Sequence, residues 1–149
     1  MKPASSEPWL GVRAAPTILI AEDEDPIREF LRTALELEGY QVLAAGDGAV
    51  ALTLCERHLP DLILLDLMMP RLDGLGFLHE FRRHYPGQDV PVYIMSAVRT
   101  ATEHAKAAGV AGVFPKPFDL DDLLATVART LRRGGHGLGG TGHSRAMSA

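Results

Sequence analysis

Five short apolar runs recur along the middle of this chain, and each is followed by a stretch with a different hydrophobic period. They are TILIA at Thr17–Ala21, YQVLA at 40–44, LILLD at Leu62–Asp66, VPVYIM at 90–95 and VAGVF at 110–114. Runs this short and this continuously apolar fit strands covered on both faces, the situation of a parallel sheet. After the first run, Ile27, Phe30, Leu31, Ala34 and Leu35 recur at helical spacing. Asp25 before Pro26 reads as the cap that starts this helix, and Gly39 closes it. The last helix shows the same period in Leu120, Leu123, Leu124, Val127 and Leu131; Asp119 caps it, and Asp121 and Asp122 load its first turn with negative charge. Weaker helical patterns lie at 47–58, Gly74–His84 and 100–108.

Strand and helix alternating five times predict an α/β fold: a doubly wound five-stranded parallel sheet with five helices, flavodoxin-like, in strand order 2-1-3-4-5. The chain of 149 residues is about one domain long. The folded unit is expected at residues 17–133. Residues 1–16, with Pro3, Pro8 and Pro16, and the glycine-rich residues 134–149 are expected to be flexible arms. The apolar fraction of 46% is too high for intrinsic disorder, and no stretch approaches the roughly 20 apolar residues a spanning helix needs. With 15 Lys and Arg against 19 Asp and Glu, no basic excess points to direct nucleic-acid binding. One cysteine, Cys55, excludes an internal disulfide and any multi-cysteine zinc site. The opening residues do not read as a secretory signal, so the expected address is the cytoplasm.

Parallel sheets of this kind bind ligands beyond the carboxyl ends of their strands. Glu22 and Asp23 follow the first run, Asp66 ends the third, Ser96 follows the fourth and Lys116 lies just past the fifth. Three carboxylates in one crevice must take up protons or hold a cation, and all-oxygen ligation suits Mg²⁺. Lys116 is then available for an anion such as a phosphoryl group. Cys55 and Met95 read as core, the six histidines as surface, and Arg82, Arg83, Arg132 and Arg133 as solvated helix ends.

The segments ILIAEDED, LILLDLMMPRLDG, YIMSA and FPKPF, in this order, resemble the receiver domain of two-component response regulators, over about residues 17–133. The resemblance implies that Asp66 accepts a phosphoryl group from a phosphohistidine. It further implies that Asp23 and Glu22, with Asp66 and the backbone carbonyl of Met68, serve a Mg²⁺ ion. Ser96 would be the switch hydroxyl and Lys116 the lysine that grips the phosphoryl oxygens, with Pro70 and Gly74 in the loop after the acceptor. The peptide bond matching Lys116–Pro117 is commonly cis in the family. The implied partners are a sensor histidine kinase or histidine phosphotransfer protein, docking beside the first helix, and a downstream protein target. One position departs: three residues before the lysine the family usually has Tyr or Phe, whereas this chain has Val113. Phe114 is adjacent, and neighbouring strand residues face opposite sides. Activation is therefore expected as a partial population shift, completed by a partner, on the face formed by the fourth helix with the fifth strand and fifth helix; the fourth helix's apolar stripe is only Ala101, Ala105 and Ala108.

No further domain is expected after Arg133, so the expected output is a protein–protein contact. The rival enzyme reading is a Mg²⁺-dependent phosphatase of the haloacid dehalogenase type, with Asp23 as its nucleophile in Asp23-Glu24-Asp25 and Asp121-Asp122 as its paired acids. It leaves Asp66 without a role. Dinucleotide binding is disfavoured because the turn after the first run is acidic and lacks glycine.

Overall fold

The computed structural model describes residues 14–97, 103–104 and 106–135. Five parallel strands form one sheet: β1 (Thr17–Ala21), β2 (Gln41–Ala45), β3 (Leu62–Asp66), β4 (Val92–Ser96) and β5 (Gly112–Pro115), in the order β2-β1-β3-β4-β5. Four helices accompany them among the described residues: α1 (Asp25–Leu37), α2 (Gly48–Arg57), α3 (Gly74–His84) and α4 (Leu120–Gly135). The sequence led us to expect five. Of the remaining one, expected over 100–108, residues 100–102 and 105 lie outside the described residues, and 103–104 and 106–107 are helical. Ala101 and Ala105 of its apolar stripe, and both expected arms apart from 14–16 and 134–135, also lie outside them.

Strand alternation sorts the core into two layers. Leu19, Ala21, Ile63, Leu65 and Ile94 pack on one face with Ala51 and Cys55 of α2 and Phe77, Leu78 and Phe81 of α3. Ile18, Ile20, Leu62, Leu64, Tyr93, Met95 and Phe114 pack on the other with Leu31 and Leu35 of α1 and Leu123 and Val127 of α4. Every residue of β1, β3 and β4 is buried, which is why those runs carry almost no polar side chains. Cys55 and Met95 are core residues as expected.

Helix ends fix the loops that form the site. Asp119 accepts the amides of Asp121 (2.9 Å) and Asp122 (3.3 Å), the cap expected from sequence. At α1 the cap position is Glu24 rather than Asp25. Asp25 lies inside the first turn, where its carboxylate pairs with Arg28 instead of a backbone amide. The Lys116–Pro117 bond is cis. Gly74 starts α3 directly against the end of β3: a Cβ there would stand 2.4 Å from the Asp66 carbonyl oxygen and 2.7 Å from Leu67 Cα. Gly74→Ala is therefore expected to cost about 1–3 kcal/mol. Urea unfolding checks this as a lowered midpoint at unchanged slope; a wild-type midpoint would show that α3 can shift freely.

Candidate functional site

The sheet order places the carboxyl ends of β1 and β3 side by side while their chains leave in opposite directions. After β1 the chain enters α1 on one face of the sheet, and after β3 it enters α3 on the other. The crevice between these exits is the ligand position of doubly wound sheets. Glu22 and Asp23 follow β1 there, Asp66 is the last residue of β3, Ser96 the last of β4, and Lys116 follows β5.

The side chains converge. Glu22 is completely buried, Asp66 is 4% exposed and Ser96 3% exposed, while Asp23 faces solvent. One carboxylate oxygen from each of Glu22, Asp23 and Asp66 lies within 4.8 Å of the others. Lys116 Nζ donates to Glu22 Oε1 at 2.7 Å and stands 3.5 Å from Asp66 Oδ2. The amide of Lys116 donates to the Ser96 carbonyl (3.1 Å), tying the ends of β4 and β5 together. The turn after β1 is braced by the Glu24 amide on Glu22 Oε2 (3.1 Å) and by Arg28 on the Glu22 carbonyl (2.9 Å). The Met68 amide donates to Asp66 Oδ1 at 3.2 Å, and the Met68 side chain is exposed.

Three carboxylates face one ammonium, so the group carries excess negative charge. Burial, then the charge of Glu22, pushes Asp66 up to about 7, against the pull of Lys116 and the Met68 amide. Burial opposes the charge of Lys116, but the hydrogen bond to Glu22 and the charges of Asp66 and Glu22 outweigh it and leave the ammonium above its ordinary value. An all-oxygen, negatively charged donor set, one of whose carboxylates is exposed to water, fits a hard divalent ion such as Mg²⁺, which retains several waters. Glu22, Asp23 and Asp66 are the residues that could hold it.

Val113 pairs in register with Ile94 and packs toward the α2 and α3 layer. Phe114 faces the other layer, with its ring 5.4 Å from that of Tyr93. The aromatic adjacent to Val113 is thus on the opposite side of the sheet from it. Two features escaped the sequence reading: the Arg28 brace on Glu22, and an ion pair between buried Asp47 and Arg71 in the loop after Asp66.

A family model of the response regulator receiver domain matches residues 18–128. The chain belongs to this family. Among curated relatives, the response regulator MprA of Mycobacterium leprae is 41% identical over 118 residues, 78% of this chain and 51% of that protein. MprA of Mycobacterium avium is 40% identical over the same length. This chain therefore spans about half the length of these relatives. Among solved structures, the receiver domain of Francisella response regulator 1452 superposes with a TM-score of 0.72 at 32% identity, covering 80% of this chain and 98% of that one. The receiver domain of NtrX from Brucella abortus gives 0.70 at 31%, covering 77% and 98%. The phosphatase alternative finds no support: the Asp25 carboxylate it needs turns to Arg28, and Asp121 and Asp122 open α4 with their amides on Asp119. Among the described residues of this receiver, no helix is long and apolar enough to cross a membrane.

Proposed function

We propose that this receiver is the phosphoacceptor of a His-Asp phosphorelay, modified on Asp66. The observation that carries the reading is the placement of the Asp66 carboxylate 3.5 Å from Lys116 Nζ, in a group with Glu22 and Asp23. Phosphoryl transfer asks little of the protein beyond positioning and charge neutralisation. An Asp66 carboxylate oxygen forms the new bond to phosphorus in line with the bond that breaks. With a phosphohistidine donor the departing electron pair stays on the imidazole nitrogen, which takes up a proton. Mg²⁺, held by Glu22, Asp23, Asp66 and the Met68 carbonyl, would supply positive charge to the phosphoryl oxygens. Lys116 moves its hydrogen bond from Glu22 toward a phosphoryl oxygen, and the Ser96 hydroxyl serves another.

The donor's chemistry comes from the partner, a sensor histidine kinase or histidine phosphotransfer protein docking beside α1. The domain itself contributes only self-phosphorylation and slow hydrolysis of the aspartyl phosphate, in the cytoplasm. Two charge-assisted bonds contribute about 1.5–3 kcal/mol each, against the roughly 5.5 kcal/mol that a near-complete switch needs. With Val113 adding no aromatic packing, the free domain shifts only partly and a downstream protein target completes the change, with no direct nucleic-acid contact. In acetyl phosphate and Mg²⁺ the wild type is expected to gain one phosphoryl group by intact mass, and chelator or Asp66→Asn to abolish the gain. Labelling of the Asp66→Asn variant at the wild-type level would overturn the assignment.

A further inference from the structure

The loop between β3 and α3 is fastened to the start of α2 at two adjacent positions. The Asp47 carboxylate, 1% exposed as a residue, receives the Val50 amide on Oδ1 (2.8 Å) and Arg71 Nε on Oδ2 (2.8 Å), with Arg71 Nη2 on the same oxygen. One residue on, the Gly48 amide donates to the Leu72 carbonyl at 3.0 Å. The backbones are so close that a Cβ at Gly48 would stand 2.2 Å from that oxygen. Arg71 holds φ 64, a left-handed conformation that a residue with a side chain keeps only where its surroundings demand it. Yet its side chain is 70% exposed, so core packing is not what demands it. At the other end of the loop, the Gly74 amide donates to the Leu67 carbonyl (3.0 Å) and the Met68 amide to Asp66. Met68 and Met69 are thus suspended between Asp66 and a clamp made of one buried carboxylate and one backbone hydrogen bond.

We propose that Asp47, acting through Arg71, is a positioning residue for the metal side of the site, holding the loop so that the Met68 backbone lies where a cation beside Asp66 needs it. The inference rests on the reading of Glu22, Asp23 and Asp66 as a Mg²⁺ site. Removing groups that orient ligands without touching the ion typically weakens metal binding by about 10–100-fold.

Three variants separate this role from a merely structural one. Arg71→Gly keeps the left-handed backbone and removes the guanidinium; Arg71→Lys keeps a charge without the planar fork; Asp47→Ser keeps an acceptor for the Val50 amide without the ion pair. Mg²⁺ binding is measured by calorimetry, and amide exchange at Met68 and Gly74 is measured in chelator. Arg71→Gly and Asp47→Ser are expected to weaken Mg²⁺ binding about tenfold and to speed exchange at Met68 in the metal-free protein, with Arg71→Lys between them and wild type. Unchanged Mg²⁺ affinity in both, with only a lowered urea midpoint, would overturn the inference and leave Asp47 a helix cap. Wild-type binding that Asp66→Asn abolishes upholds the underlying site separately; a wild type that binds no Mg²⁺ sinks both.

Discussion

Asp66→Asn is expected to make the metal-free protein more stable than wild type at pH 8, by about 2–4 kcal/mol. Burial and the charge of Glu22 raise Asp66 from the ordinary carboxylate value of 3.8 to about 7 in the folded state. Between those values the native protein holds a proton that the unfolded chain has released, so stability falls as pH rises. Below about 4 both states are protonated and this contribution is fully present; above about 7 it is gone. The neutral amide keeps the carboxylate's shape and an acceptor for the Met68 amide, and it has no charge to desolvate. The advantage of the variant should shrink steadily from pH 7 to pH 4 in urea melts with chelator. Saturating Mg²⁺ should reverse the order, since only the wild type retains the full ligand set. An Asp66→Asn protein less stable than wild type at pH 8 in chelator would show that Asp66 carries its charge there without cost.

Lys116→Ala should damage both stability and chemistry. It removes the ammonium that stands between Glu22, completely buried, and Asp66, leaving two buried carboxylates to face each other. Breaking a buried ion pair from one side costs about 3–5 kcal/mol, and proton uptake by the carboxylates places the expected loss at pH 8 in chelator near the lower end. The rate of labelling by acetyl phosphate should fall about 10²–10³-fold, the usual effect of deleting one group that neutralises charge in a transition state. Added Mg²⁺ should recover much of the stability by neutralising the carboxylates, while the rate stays low. Labelling at the wild-type rate would remove Lys116 from the phosphoryl-binding role.

The parts of the fold that burial dictates were legible in the sequence. β1 and β3, central in the sheet and buried at every residue, fall on the same residues the apolar runs mark. β2, β4 and β5 shift by one or two residues. β5, an edge strand containing Gly112 and Pro115, is buried only at Phe114, so its apolar run overstates its core contacts. Strand ends of a parallel sheet converge by geometry, and Glu22, Asp23, Asp66 and Lys116 could therefore be gathered on paper. The α1 cap falls one residue earlier than the sequence suggests: Glu24 holds the extended cap conformation, and Asp25, already inside the first turn, pairs with Arg28 three residues on. The Asp47–Arg71 clamp left no signal. A left-handed residue is usually Gly or Asn, and the arginine gives no hint of that conformation or of a partner 24 residues away.

Borohydride reduction of the labelled protein tests the account at its centre. An aspartyl phosphate is reduced to homoserine, and peptide sequencing by mass spectrometry then names the residue that carried the phosphoryl group. After incubation with acetyl phosphate and Mg²⁺, homoserine is predicted at position 66. Homoserine at position 23, or none anywhere in protein that has gained a phosphoryl group, would contradict it.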